Sequence, residues 1–287
     1  MLKKALMIGA AFFLFLQVGF CYALDWKRLH EKAERENLRE ALTEVVKNPN
    51  SLEALYTLGL VYLNRYKNNE AEQVFRDMLS LDPHSIEAKR GLAEILRRQH
   101  KFNESQALLE EVIKADPEFS PAYISLGYML YDKKDYGKSI RLAQRVIRQS
   151  REKVDLTNYT RAYLIIGGAK GMLAGQGGPF SKLFYGTQVL SYFKKAQKLQ
   201  PDSAGVLLGL GSFYLLAPSI VGGDKNKALD FLEKAIKADP DFADAYARLA
   251  QVWRERGDEK KYHAYLSIAL ELDPQNELAL SLKNEKR

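Results

Sequence analysis

The chain has 287 residues, of which 46% are hydrophobic and 28% are charged, and its formal net charge is +7. Acidic and basic side chains are interspersed, and no long basic run with interleaved aromatic residues occurs, which argues against nucleic-acid binding. Cys21 is the only cysteine, so the sequence excludes a disulfide scaffold, and stability must come from packing.

Residues 1–23 have the pattern of a secretory signal peptide. Two lysines precede a short apolar run, and small residues suit cleavage after Ala23. Two alternatives remain: an uncleaved membrane anchor, and a lipid anchor at Cys21, which the bulky Phe20 disfavours. The segment predicts export, to a bacterial periplasm because the rest of the chain has no cysteine, with membrane contact only through such an anchor. Residues 24–51 then predict a polar, amphipathic N-terminal helical cap.

From residue 52 onward, the chain contains a sequence repeat of about 34 residues. The typical repeat consists of an apolar helix with a small residue, a second helix with a small residue, and Asp-Pro, as at Pro83, Pro117 and Pro274. This period predicts stacked helical hairpins without a single globular core. We expect an array over 52–276, with units near 52–85, 86–119, 120–153, 160–203, 204–242 and 243–276, and a capping segment over 277–287.

The small residues let the two helices of a unit approach each other. In the first unit, Gly59 and Ala71 face each other, while Leu55 and Phe75 fill the seam at amphipathic spacing. These positions resemble those of the tetratricopeptide repeat family. The resemblance covers most of the array and implies an all-α, right-handed superhelix that binds protein or peptide partners and is not an enzyme.

In that family the first helix of each unit lines a concave groove, and the family's carboxylate clamp is not reproduced here. The resemblance places a largely apolar and aromatic set in the groove, with a basic patch: Tyr56, Leu60, Leu63, Arg90, Arg97, Arg98, Ile124, Tyr128, Tyr131, Leu164, Leu208 and Leu215. Two interpretations remain open. Either the groove binds an apolar or aromatic segment of a partner, or the superhelix is tight enough to bury these side chains on itself.

The fourth and fifth units are longer than the others. We expect long turns over residues 175–186 and 217–224, with Asp224 as N-cap of the next helix. Both turns lack a phosphate-loop frame, and both are expected at one edge of the superhelix. They therefore predict a joint docking site formed by Phe180, Phe184, Tyr185, Ile220 and Asp224.

The sequence supplies no residue pattern for catalysis, metal binding or a cofactor. Its four histidines are scattered, and no frame pairs a nucleophile with a base. The sequence thus favours a non-enzymatic scaffold in the cell envelope. An alternative comes from the phrase LAPSIVGGDKNKALDFLEKAI, which resembles the T-component of TRAP-type transporters. That resemblance implies docking of a substrate-binding protein, or a small hydrophobic ligand in the groove.

Overall fold

The computed structural model describes residues 24–285, so the predicted signal segment lies outside the described residues. The described chain is all-helical. Its α-helices are α1 (Trp26–Ala33), α2 (Leu38–Lys47), α3 (Leu52–Leu63), α4 (Asn68–Leu81), α5 (Ile86–Arg98), α6 (Phe102–Ala115), α7 (Ser120–Asp132), α8 (Tyr136–Arg148), α9 (Leu156–Gln176), α10 (Pro179–Leu199), α11 (Ala204–Leu216), α12 (Lys225–Ala238), α13 (Ala243–Glu255), α14 (Glu259–Leu272) and α15 (Glu277–Asn284). None of these helices combines the length and the hydropathy that a membrane crossing requires.

Helices α3 to α14 form six consecutive antiparallel hairpins. Each first helix also contacts the first helix of the next hairpin, and each second helix packs against the following first helix. This arrangement confirms the expected α-α superhelix. Its core consists of a succession of apolar clusters along the stack, as the repeat period predicts.

The close approach of helices depends on glycine, as the sequence predicts. The ring of Phe75 is fully buried between Gly59 of its own hairpin and Gly91 of the next one. A Cβ atom at Gly59 would lie 2.5 Å from that ring, and one at Gly91 would lie 2.4 Å from it. One aromatic side chain thus joins two units, and neither glycine tolerates a larger residue without a shift of the ring.

The fourth hairpin differs from the sequence-based expectation. Residues 175–186 are mostly helical, because α9 and α10 have 21 residues each and are joined by only two residues, Gly177 and Gly178. A single glycine costs a helix only about 1 kcal/mol, so Gly175 and Gly186 do not interrupt the two helices. With 12 to 14 residues in the helices of the other hairpins, the fourth hairpin is about 11 Å longer at 1.5 Å per residue.

The fifth hairpin contains the expected long connection, with one turn of 3-10 helix at Ser219–Val221. Gly222 has φ 101°, a backbone conformation that favours glycine. A Cβ atom at Gly223 would lie 1.8 Å from the carbonyl oxygen of Ala217, so only glycine fits there. Asp224 accepts hydrogen bonds from the backbone N–H groups of Asn226 and Lys227, which confirms it as the N-cap of α12.

The N-terminal helix α1 does not sit at the end of the stack as a cap would. It packs on α3 and also reaches Phe119, which immediately precedes the third hairpin, and Asn158 of the fourth hairpin. It therefore lies inside the concave side of the superhelix, where it crosses several units. At the other end, α15 packs on α13 and α14, and its residues Ala279 and Leu282 are buried.

Candidate partner-binding groove

The concave groove is lined by the first helices α3, α5, α7, α9, α11 and α13, and α1 occupies part of it. Six of the residues predicted to line an open groove are buried: Tyr56, Leu60, Leu63, Arg90, Ile124 and Leu215. Tyr128, Tyr131, Leu164 and Leu208 are half-buried, as are Arg97 and Arg98. For the buried six, the structure favours self-burial over an open binding surface.

Helix α1 presents one face to the groove. The indole of Trp26 packs edge-on against the ring of Phe119, with ring centroids 5.4 Å apart. Leu29 is 1% exposed, and Ala33 is also buried. Trp26, Leu29, His30 and Ala33 are spaced at three and four residues, the spacing of one helix face. The groove therefore accepts an amphipathic helix, and α1 is the helix that it holds.

A buried polar network fixes the middle of α1. Nε2 of His30 lies 2.7 Å from Oη of Tyr56, and Nδ1 lies 3.1 Å from the side-chain amide nitrogen of Asn158. The same amide nitrogen donates to the carboxylate of Asp155 at 2.6 Å, which fixes the amide's orientation. Nδ1 of His30 is therefore the acceptor, and the N–H group at Nε2 donates a hydrogen bond to Oη of Tyr56.

The network holds His30 in its neutral form. The pKa of His30 is lowered from 6.5 to about 4, mainly by burial; the charge of Asp155 opposes this shift, and the positive charges of Arg90 and Arg161 add to it. Burial also raises the pKa of Tyr56, so its hydroxyl stays protonated. In the sequence, His30 is one of four scattered histidines. Its role depends on two residues that are distant in the sequence, Tyr56 and Asn158, which only the fold brings to it.

Two of the three arginines of the predicted basic patch, Arg97 and Arg98, are paired with acids. Glu94 accepts hydrogen bonds from Arg97 at 2.9 Å, from Arg98 at 3.2 Å and from Ser125 at 3.1 Å. Burial alone would raise the pKa of Glu94, but the two guanidinium groups hold it far below its usual range. Arg97 also pairs with Asp132 at 2.9 Å. The two arginines are thus structural and do not form a free anion site.

Distant units meet across the superhelix. Oη of Tyr66, in the first hairpin, donates to the carboxylate of Asp239 after the fifth hairpin, at 3.0 Å. Burial raises the pKa of Tyr131 to about 12, while the positive charge of Arg248 in the sixth hairpin lowers it. A Cβ atom at Gly168 would lie 3.3 Å from the Tyr131 ring, so this glycine makes room for the tyrosine.

The residues predicted to form a joint loop site do not all lie in loops. Phe180, Phe184 and Tyr185 belong to the first turns of α10, whereas Ile220 lies in the connection before α12. Phe180 is 89% exposed, Phe184 63% and Ile220 94%, so all three remain available for contacts. Tyr185 is half-buried.

The described residues contain no cluster of three or more metal-ligating side chains. Two open depressions, of about 340 and 280 Å³, lie outside the groove and are lined mostly by polar and charged residues of α2 and of the α5–α6 turn. Neither depression supports a site for a small hydrophobic ligand.

Sequence and structure comparisons identify the type of repeat. Family models described as tetratricopeptide repeats match residues 64–127 and 222–242. No curated protein matches the chain.

Three solved structures illustrate the likeness in fold. A thermophilic TPR protein of Thermus thermophilus is 20% identical with a TM-score of 0.57, over 69% of this chain and 96% of that one. The Cut9–Hcn1 assembly of the APC/C is 18% identical with a TM-score of 0.58, and the match covers 91% of this chain and 48% of that one. A TPR protein of Parabacteroides merdae is 13% identical with a TM-score of 0.51, and the match covers 89% of this chain and 94% of that one. These structures show a likeness in fold alone, and the family models show tetratricopeptide repeats at residues 64–127 and 222–242.

Proposed function

We propose that this protein is a non-enzymatic scaffold of the bacterial cell envelope, and that its concave groove holds a helical segment of a protein partner. The proposal rests on the site that holds α1, which we call the seat and which Tyr56, Phe119 and Asn158 form. Trp26, Leu29 and His30 are held by apolar and hydrogen-bonding contacts from three different hairpins. A surface that buries one amphipathic helix in this way offers the chemistry of helix-in-groove recognition.

The partner segment takes the place of α1. The seat offers the ring of Phe119 for an aromatic side chain, the hydroxyl of Tyr56 for a hydrogen-bond donor and the amide N–H of Asn158 for an acceptor. A matching segment carries an aromatic residue and, four positions later, a neutral polar residue. We propose that this exchange occurs in the periplasm, with another envelope protein as the partner, because residues 1–23 predict export.

A tether across the rim of the groove tests the exchange. Arg28 of α1 forms an exposed ion pair with Glu53 of α3, at 2.9 Å. Residues 24–287 contain no cysteine, so Arg28→Cys with Glu53→Cys provides two unique thiols that a short bis-maleimide joins. The tethered protein and the same variant without linker are compared in pull-downs from bacterial envelope extracts, with each single-cysteine variant as the matched control.

We expect the untethered variant to retain a discrete protein partner and the tethered variant to lose it. Trp26→Ala, which weakens the seat of α1, should increase the amount captured. Equal capture by the tethered and untethered proteins would show that the partner does not use this seat. Mass analysis of the mature N-terminus in the native host tests the location separately, with Leu24 as the expected first residue.

A further inference from the structure

The two edges of the superhelix differ in chemistry. Because all first helices run in the same direction, the turns within hairpins lie on one edge, and the connections between hairpins lie on the other. We call the first the hairpin edge: residues 64–67, 99–101, 133–135, 177–178, 217–224 and 256–258. Neighbouring turns touch along it. Arg98 donates to the side chain of Asn68 at 3.0 Å, and Arg256 donates to that of Asn226 at 2.9 Å.

The opposite edge, which we call the proline edge, comprises 48–51, 82–85, 116–119, 149–155, 200–203, 239–242 and 273–276. Its charged residues are nine acidic and two basic: Asp82, Asp116, Glu118, Glu152, Asp155, Asp202, Asp239, Asp241, Asp273, Arg151 and Lys153. The hairpin edge has six basic and three acidic residues: Arg65, Lys67, Lys101, Lys133, Lys134, Arg256, Asp135, Asp224 and Asp258. The three acidic residues cap helices.

The first turns of the second helices add six lysines and three glutamates to the hairpin edge. The lysines are Lys138, Lys182, Lys225, Lys227, Lys260 and Lys261, and the glutamates are Glu70, Glu104 and Glu259. Four of these lysines pair with nearby acids: Lys138 with Asp135, Lys225 with Glu255, Lys227 with Asp224 and Lys261 with Asp258. The helix dipole disfavours a cation at this end of a helix, so helix stability does not explain the placement of Lys182 and Lys260, which have no such pair among the described residues. Five exposed lysines of the extended edge form no ion pair with an acid of the described residues: Lys101, Lys133, Lys134, Lys182 and Lys260.

Apolar side chains protrude from the same edge. The elongated fourth hairpin carries Phe180 and Phe184 one helical turn apart near its tip, and the fifth carries Ile220. These side chains are among the most exposed large hydrophobic residues of the described chain. Part of the edge is unavailable, because Tyr66 of the first hairpin is bonded to Asp239 of the proline edge. The available part of the hairpin edge therefore belongs to the second to sixth hairpins.

We propose that the hairpin edge docks on the surface of an anionic phospholipid bilayer. Phe180, Phe184 and Ile220 insert at the level of the headgroups, and the surrounding lysines contact lipid phosphates. Charge complementarity favours this occupant: protruding apolar tips among unpaired lysines suit an anionic surface, and the acidic proline edge turns away from it. The docking is distinct from the groove, and it differs from an anchor formed by residues 1–23.

Vesicle sedimentation of the chain from residue 24 onward tests the proposal, because every helix and contact described here lies within that part. The vesicles are phosphatidylglycerol with phosphatidylethanolamine, or phosphatidylcholine alone. The apolar variant is Phe180→Ser, Phe184→Ser and Ile220→Ser together. Its matched control is Val46→Ser, which changes a side chain that is 80% exposed on α2.

The charge variant is Lys182→Glu with Lys260→Glu, and its matched control reverses two exposed lysines at the far ends of α6 and α12, Lys114→Glu with Lys237→Glu. Each lysine near an anionic surface contributes about fivefold to binding, so the charge variant should bind about 25-fold more weakly or worse. The apolar variant should lose about tenfold or more. Circular dichroism verifies that all variants retain the helical fold.

We expect the unmodified chain to bind anionic vesicles, to bind neutral ones far less, and to be released by salt. Three results would overturn the proposal: no binding to anionic vesicles, equal binding to both vesicle types, or apolar and charge variants that match their controls. Loss of a protein complex in the edge variants, without any vesicle binding by the unmodified chain, would assign the edge to a protein partner instead. The tethered groove variant should bind vesicles normally, which separates this surface from the groove.

Discussion

Acidification should loosen α1 from the groove, because the seat of His30 accepts only the neutral imidazole. A proton on Nδ1 would turn this acceptor into a donor that faces the amide nitrogen of Asn158, itself a donor at 3.1 Å. The protonated ring would also face the positive charges of Arg90 and Arg161, with only Asp155 in its favour. Protonation therefore breaks a buried hydrogen bond and adds a repulsive charge.

The size of the effect follows from the lowered pKa. His30 has a pKa of about 4 in the seat, against 6.5 when the helix is released. A group with a lowered pKa binds more protons in the released or unfolded state, so the stability that it contributes is complete above pH 6.5 and is lost as the pH falls towards 4. Between pH 7.5 and pH 5 the loss is about 2 kcal/mol.

Tryptophan fluorescence measures this loss directly. Trp26 lies in the seat, and the only other tryptophan is Trp253 in the sixth hairpin, so Trp253→Phe leaves a single probe. Urea midpoints and acrylamide quenching of Trp26 are then measured from pH 7.5 to pH 5. The control is His30→Gln, which keeps hydrogen-bonding groups but does not titrate.

The test is the difference in the pH dependence of stability between the protein with His30 and the His30→Gln variant. Burial raises the pKa of Glu87, Asp132 and Asp244, and these carboxyl groups oppose His30 because the folded state binds their protons more readily. We expect the protein with His30 to lose about 2 kcal/mol relative to His30→Gln over this range. Parallel pH profiles for the two proteins would refute the assignment of the seat to a neutral histidine.

Two further predictions concern packing and charge. Gly91→Ala should destabilise the array by about 1–3 kcal/mol, because its Cβ would lie 2.4 Å from the Phe75 ring. Gly175→Ala has open space around it and should stabilise α9 by up to about 1 kcal/mol. Urea unfolding compares the two variants, and equal effects on the free energy of unfolding would contradict the packing argument. Arg97→Ala should cost about 3–5 kcal/mol because it leaves Glu94 buried with only one arginine partner, and a loss below about 1 kcal/mol in the same assay would show that Arg98 alone suffices.

Sequence reasoning predicts the regular part of the fold because the relevant interactions are local. The spacing of Gly59, Ala71 and Phe75 within one period predicts a hairpin, and the structure contains it. The fourth hairpin was harder to predict, because its glycines suggest a turn while the helices simply extend through most of them. Helix propensity is a weak preference, and continued packing between α9 and α10 overrides it.

The groove could be predicted only in part, since its state depends on contacts between distant residues. The positions of Tyr56, Arg90 and Ile124 on first helices follow from the repeat, but their burial does not. Their burial accompanies the docking of α1 and the tight curvature that brings Tyr66 to Asp239. The apolar spacing of residues 26–33 is the one signal that could have indicated docking, and it is equally compatible with an end cap.

Because α1 already occupies the groove, a partner helix has to compete with it for binding. A partner helix must replace contacts that α1 already makes, so its apparent affinity equals its intrinsic affinity multiplied by the fraction of molecules in which the seat is empty. Weakening α1 by about 2 kcal/mol raises that small fraction about 30-fold. The pH response of His30 and the proposed partner exchange are thereby linked: capture by the groove should rise as the pH falls from 7.5 to 5, and the increase should be absent in His30→Gln. A partner that bound elsewhere on the array would show no such difference between the two proteins.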